Sequence, residues 1–190
     1  MVTYTRDTLG RVTGVTTKET SLSTPVAVAS NIAYDPFGPL TALDHGNGLE
    51  LTRGFDLDGW VTSILTTDGV TPVQDVSYGY DNADGITAIT DNLVAGRSES
   101  FGYDNRRRLS DATGLYGDID YLYDAVGNRT SRVTDDGLII VTDSYTMATT
   151  SNRLSTVNDG STTRTLTYSA AGALKDPFSF ELSEQVGPGG

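Results

Sequence analysis

The chain has 190 residues, no cysteine, 37% hydrophobic residues and a formal net charge of −12. The absence of cysteine excludes disulfides, thiolate metal sites and cysteine nucleophiles. The acidic charge disfavours nucleic acids and anionic membranes, and no apolar run approaches the ~20 residues of a membrane helix. The sequence therefore predicts neither a nucleic-acid partner nor membrane insertion.

A short pattern recurs along the chain: an aromatic residue, Asp, two variable residues, Gly and an aliphatic run. In chain order the units are YTRDTLGRV from Tyr4, AYDPFGPL from Ala33, GFDLDGWV from Gly54, GYDNADGI from Gly79, GYDNRRRL from Gly102, LYDAVGNR from Leu122 and TYSAAGAL from Thr167. The stretch SNRLSTV from Ser151 resembles the second half of a degraded unit. Such self-similarity is typical of repeat architectures.

Each Asp is predicted to open a β-turn. Asp is favoured at the first turn position, where its carboxylate accepts backbone N–H bonds, and Gly at the fourth position tolerates positive φ. The predicted turn residues are Asp7, Gly10, Asp35, Pro36, Gly38, Asp56, Gly59, Asp81, Asp104, Asp124, Gly127 and Gly172. Asp84 and Arg107 stand where Gly is expected, which predicts looser turns at these two places.

Aromatic residues precede the turns at alternate positions, and alternate residues of a strand share a face. Stacked repeats would place these rings in ladders, whose predicted members are Tyr78, Tyr80, Phe101, Tyr103, Tyr121 and Tyr123. After each turn the aliphatic residues step by three, as in Val12 and Val15. That step indicates a β-bulge or a strand packed on both faces. No long window shows a helical period, so the fold class is all-β, with tandem hairpins in one antiparallel sheet.

The units YLYDAVGNRTSR and VSYGYDNADGITAITD resemble the RHS or YD-repeat family. The resemblance implies about eight repeats over residues 1–174, forming a curved, spiralling sheet, and a tail or linker over residues 175–190. In this family such sheets build hollow shells around toxic domains of bacterial toxins, and related repeats in teneurins take part in cell-surface adhesion. The implied function is a non-catalytic structural module, secreted or at the cell surface. The alternative is a surface-binding module for a glycan or protein, with Trp60 as its candidate residue.

A size estimate limits the structural reading. Eight two-stranded units at ~4.8 Å per strand give a sheet roughly 77 Å wide, which closes to a diameter of only ~25 Å. A folded domain of 100 residues, with a radius of gyration of ~13 Å, needs more room. We therefore expect the partner to be the rest of a longer chain or, through unpaired edge strands, a second copy.

Other chemistry-bearing residues have simpler explanations. His45, in DHGNG, is predicted to be a turn residue, and with no second histidine a catalytic triad is unavailable. The stretch DLDG from Asp56 lacks the later ligands of a calcium loop, although the sequence leaves calcium binding by the Asp-rich turns open. The remaining candidates are Arg106–Arg108 as a solvated turn or a phosphate contact, Asn128 as a glycosylation sequon, Asp135 and Asp136 as a hairpin turn, and Asp176–Pro177 as a cleavage motif without its usual Gly-Leu. The sequence predicts no enzyme, no cofactor and no metal.

Overall fold

The structure, a computed structural model, describes residues 1–36 and 38–175. The chain forms two compact units, residues 1–116 and residues 117–190. The predicted tail, apart from Lys175, lies outside the described residues, and so does the Asp176–Pro177 motif. No helix in the described part of the chain is long and apolar enough to cross a membrane.

The first unit is a run of ten antiparallel strands in which neighbours in sequence are neighbours in the sheet. They are β1 (Val2–Arg6), β2 (Val12–Thr17), β3 (Val26–Tyr34), β4 (Leu40–His45), β5 (Glu50–Phe55), β6 (Val61–Thr67), β7 (Pro72–Tyr80), β8 (Ile86–Asp91), β9 (Glu99–Tyr103) and β10 (Leu109–Gly114). A 3-10 turn at Ala95–Arg97 connects β8 to β9.

The second unit continues the same pattern. Its strands are β11 (Gly117–Tyr123), β12 (Arg129–Asp135), β13 (Ile140–Met147), β14 (Leu154–Asn158) and β15 (Thr163–Thr165). The stretch from Ser151 leads into β14, which pairs with β13 in a complete hairpin whose turn begins at Ala148 instead of Asp. The all-β, antiparallel hairpin prediction is confirmed.

A one-residue bulge follows the turn in seven of the hairpins, those whose turns begin at Asp7, Asp35, Asp56, Asp81, Asp104, Asp124 and Ala148. Phe55 lies opposite Val61 and Gly54 lies opposite Ser63, so Thr62 has no partner. The bulged residues are Thr13, Thr41, Thr62, Thr87, Ser110, Thr130 and Ser155. Because one extra residue is inserted, residues three apart return to the same face. The bulge predicted from the aliphatic step of three is therefore present.

The register assigns each side chain of the first unit to one of two faces. The aromatic face carries Tyr34, Leu43, Leu51, Phe55, Ile64, Tyr78, Tyr80, Ile89, Phe101 and Tyr103. The opposite face carries Thr52, Ser63, Ser77, Gly79, Ala88, Ser100 and Gly102. Large aromatic and aliphatic side chains thus gather on one face, whereas the other carries mainly small, hydroxyl and acidic side chains, with Leu65 among them.

Burial is shallow throughout this sheet. Leu51 and Ala112, at 8% and 5% exposed, are the buried hydrophobic residues among those described, and none of the described side chains falls below 2%. The large side chains of the aromatic face are mostly half-buried, because only their neighbours on the same face cover them. Contacts between successive repeats must therefore supply much of the stabilisation that a closed hydrophobic core supplies in a two-layer domain.

Candidate functional site: the clasp between repeats

The Asp residue of each repeat closes its own turn. The N–H of Asp7 donates to the carbonyl of Arg11 at 2.9 Å, and the N–H of Gly10 donates to the carbonyl of Asp7 at 3.0 Å. The carboxylate Oδ1 of Asp7 also accepts the N–H groups of Leu9 and Arg11, each at 2.9 Å. Equivalent carboxylate bonds occur at Asp56, Asp81, Asp104 and Asp124. A single carboxylate therefore satisfies two or more N–H groups that the tight turn leaves without strand partners.

Two of the turns were predicted to be loose, and that prediction is wrong. Asp84 and Arg107 both adopt φ of 65°, in the left-handed region that Gly10, Gly59, Gly127 and Gly172 occupy in their turns. The N–H of Asp84 donates to the carbonyl of Asp81 at 3.1 Å, and the N–H of Arg107 donates to that of Asp104 at 2.9 Å. These distances match those of the glycine turns. At Asp35 the main-chain bonds are also present, at 3.1 and 3.2 Å, although Phe37 lies outside the described residues.

Hydrogen bonds lower the pKa of several turn carboxyls. The Arg107 guanidinium and the backbone N–H groups of Gly85 and Ala83 lower the pKa of Asp81 to about 2. In the next turn the side chain and N–H of Arg108 lower the pKa of Asp104 to about 2. These bonds favour the ionised carboxylate, so the turns are built to hold charged Asp.

A Tyr directly before the turn reaches into the preceding repeat. The hydroxyl of Tyr34 donates to the carbonyl of Val12 at 2.9 Å. The same bond, at 2.8 Å, joins Tyr80 to Val61, Tyr103 to Ile86 and Tyr168 to Leu154. In each case the acceptor is the first residue of the strand that follows the preceding turn. We call this tyrosine bond, together with the side chain that covers the ring, the clasp.

The ring of the clasp is covered by the residue that precedes the acceptor. The guanidinium of Arg11 lies 4.8 Å from the Tyr34 ring centroid, and Arg11 Nη1 donates to the carbonyl of Asp35 at 2.9 Å. At the last clasp, Arg153 lies 5.5 Å from the Tyr168 ring. Trp60 occupies the same place over Tyr80, with ring centroids 5.9 Å apart. Cation–π and aromatic contacts of this kind stabilise pairs of repeats.

Four of the six residues of the predicted aromatic ladder lie in the first unit. Tyr78, Tyr80, Phe101 and Tyr103 do share the aromatic face. One ring pair joins a ladder residue, Tyr80, to Trp60, which lies outside the predicted ladder. Tyr121 meets the guanidinium of Arg129 at 5.6 Å. A continuous run of ring-to-ring contacts, in which Tyr123 would also take part, stays a prediction.

The clasp can be tested by removing one hydroxyl. Tyr34→Phe should lower the free energy of unfolding by about 1 kcal/mol, because it deletes the bond to the Val12 carbonyl and keeps the ring beneath Arg11. Chemical unfolding followed by circular dichroism measures the change. Tyr4→Phe, at a tyrosine that is 56% exposed, is the matched control and should change little. Equal effects of the two substitutions would contradict the clasp.

The sequence does not predict an ion pair in the second unit between a buried aspartate and a half-exposed arginine. Asp143, 6% exposed, accepts a hydrogen bond from Arg132 Nε at 2.8 Å, and the two residues lie opposite each other on β12 and β13. Beside them, the Arg129 guanidinium lies 4.5 Å from the Tyr145 ring. The alternation in VTDSYTM does place Asp143 and Tyr145 on one face, but a strand register was needed to find their arginines.

The other sequence candidates lie in turns. His45 is exposed, and its backbone N–H donates to the carbonyl of Leu49 at 2.7 Å. The side chains of Arg107 and Arg108 bind turn carboxylates, and Asn128 Nδ2 donates to Asp124. Asp136 accepts two backbone N–H groups in its hairpin turn. In the described part of the chain no three His, Cys, Asp or Glu residues form a group that could hold a metal ion.

The comparisons with known proteins give a consistent result. No family model and no curated protein matches the chain. Among solved structures, the Tc holotoxin pore of Photorhabdus luminescens, with a TccC3 mutation, aligns at a TM-score of 0.70 and 18% identity over 92% of this chain. The TcdB2–TccC3 structure without its hypervariable C-terminal region aligns at 0.68 and 16% identity, again over 92%.

The chain spans only 11% of the length of those two proteins. At 16–18% identity the likeness establishes the fold. These toxin chains contain RHS or YD-repeat shells, and the resemblance seen in the repeated Tyr–Asp units is confirmed at that level. The chain therefore has the fold of an RHS or YD-repeat segment.

Proposed function

We propose that the chain is a non-catalytic structural repeat module, a segment of an RHS-type β-shell or a subunit of a secreted or surface assembly. The observation that carries this proposal is the clasp. Tyr34, Tyr80, Tyr103 and Tyr168 each need a carbonyl from the preceding repeat. The tyrosines that recur before the turns thus join one hairpin to the next, as expected of residues that hold a continuous repeat sheet together.

The fold neighbours support the same proposal. They are the Tc holotoxin pore and TcdB2–TccC3, and the alignment uses nearly all of this chain but a small part of theirs. That proportion fits a segment of a larger wall better than a self-contained binding domain. A secreted or extracellular location follows from the proposal, since toxin-complex walls work outside the cell that makes them.

The alternative, a glycan- or protein-binding module, depends on Trp60. This side chain is 43% exposed, but its ring packs on Tyr80, where other repeats place an arginine. Packing on the clasp accounts for the position of Trp60 without a ligand, so we do not advance this function.

A wall segment should pair through its open edges. Met1 and Lys18 exchange two backbone hydrogen bonds, and because such bonds alternate along an antiparallel pair, the N–H groups of Val2, Tyr4 and Arg6 point away from β2. We expect the mass measured by light scattering to rise with concentration. Tyr4→Pro, which removes one outward donor, should reduce this rise, whereas Tyr4→Phe should not. A mass of one chain across the whole series would contradict pairing through this edge.

A further inference from the structure

In two neighbouring turns, Gly85 and Arg107 differ from their counterparts in the Asp7 turn, Arg11 and Gly10. Gly85 occupies the position that Arg11 and Arg108 occupy in their own turns, four residues after the Asp. Arg107 occupies the position of the left-handed glycine in the following turn and has φ of 65°. Arginine is disfavoured in this conformation, so a compensating contact is expected near Arg107.

The space beside Gly85 is already filled by Arg107. A Cβ atom added to Gly85 would lie 2.8 Å from Arg107 Nη2 and 3.1 Å from Tyr103 Cε2. The backbone at Gly85 lies outside the left-handed region, so its conformation does not require glycine. The nearest of these atoms is the end of the Arg107 side chain, so a larger residue at position 85 would have to displace the arginine that arrives from the next repeat.

Arg107 makes the contacts that an arginine at position 85 would make. In their own turns, Arg11 Nε donates to Asp7 Oδ2 at 2.8 Å and Arg108 Nε donates to Asp104 Oδ2 at 2.7 Å. Arg107 Nη1 donates to the equivalent oxygen of Asp81, in the preceding turn, at 2.6 Å. Its guanidinium also lies 5.6 Å from the Tyr103 ring, so it covers that clasp as Arg11 covers the ring of Tyr34.

We propose that Gly85 and Arg107 are an exchanged pair, in which the arginine missing from one turn is supplied by the next repeat. The two departures are then a single feature. The turn requires the left-handed conformation at this position, and from it the Arg107 guanidinium reaches Asp81 and the carbonyl of Ala83, which compensates its cost. Arg107 therefore positions the turn at 81–85 against the turn at 104–108. It reaches from the later turn to the earlier one, whereas Arg11 reaches from an earlier turn to the next.

A double-mutant cycle tests the exchange. We expect Gly85→Arg to destabilise the otherwise unchanged protein, because the new side chain and Arg107 would compete for one space. In the Arg107→Gly background the same substitution should stabilise, because the Asp81 turn then has its own arginine and the Asp104 turn has glycine at its left-handed position. The coupling should change the unfolding equilibrium constant by about five-fold or more. Gly85→Arg in an Arg11→Gly background is the control and should behave as in the unchanged protein.

A second readout follows the Asp81 carboxyl by NMR titration. The pKa of Asp81 should rise towards the ordinary value in Arg107→Gly, because that substitution removes the guanidinium that binds the carboxylate. It should fall again in Gly85→Arg/Arg107→Gly, because the new arginine supplies a guanidinium from within the same turn. The essential comparison is between Arg107→Gly and the double variant, which does not require Gly85→Arg to fold alone. A double variant no more stable than Arg107→Gly, with an Asp81 pKa that stays raised, would overturn the proposal.

Discussion

Replacement of Arg132 by Met should lower the free energy of unfolding by about 2 kcal/mol. The substitution leaves Asp143, which is 6% exposed, without its guanidinium partner. A nearby hydroxyl, that of Tyr145, lies 3.4 Å from Asp143 Oδ2 and cannot replace a charge. We place the effect below the range for fully buried pairs because the Arg132 side chain is 40% exposed. Denaturant unfolding of the purified protein measures it.

Two further variants show whether the lost partner is the cause. Arg132→Met/Asp143→Leu should recover most of the stability, because an apolar pair on this face needs no counter-charge. Arg164→Met is the matched control: Arg164 and Asp159 lie 3.7 Å apart and are 63% and 37% exposed, so its loss should hardly move the unfolding midpoint. An Arg132→Met protein as stable as the unchanged chain would show that Asp143 finds another partner.

Acid should destabilise the protein in a narrow window, between about pH 4 and pH 2. Hydrogen bonds in the folded turns lower the pKa of seven carboxyls: Asp7, Asp68, Asp81, Asp104, Asp124, Asp136 and Asp159. A carboxyl whose folded pKa is depressed adds stability above its unfolded pKa of 3.8. That stability is lost as the pH falls through the folded pKa, about 2 for Asp81 and Asp104.

The thermal midpoint, measured from pH 6 to pH 2, tests this expectation. The midpoint should be nearly level above pH 5 and fall steeply below pH 4. Asp81→Asn/Asp104→Asn should start lower and show a shallower fall, because two of the titrating groups are gone. This comparison also separates the turn carboxylates from general repulsion among arginines at low pH, which both proteins share. A midpoint that is constant to pH 2, or an unchanged slope in the variant, would contradict the assignment.

The regular part of this architecture was predictable because it follows from local chemistry. The preference of Asp7 for a turn and the spacing of Val12 and Val15 are properties of short stretches, and they led to the hairpins and the bulge. The clasp was not predicted, because the acceptor of the Tyr34 hydroxyl is a main-chain carbonyl, which every residue carries. The role of Arg107 was missed for a related reason: its partner, Asp81, lies 26 residues away and belongs to another turn.

The clasp also gives the array a direction. Tyr34, Tyr80, Tyr103 and Tyr168 all donate to a residue earlier in the chain. A repeat that emerges from the ribosome, or from a secretion channel that passes the N-terminus first, follows the hairpin that carries its acceptor carbonyl. Its tyrosine can therefore form the bond as soon as it emerges. Passage in the reverse sense would present each tyrosine before its acceptor exists. The repeats are thus suited to being laid down in chain order, one hairpin completing the next as synthesis or export proceeds.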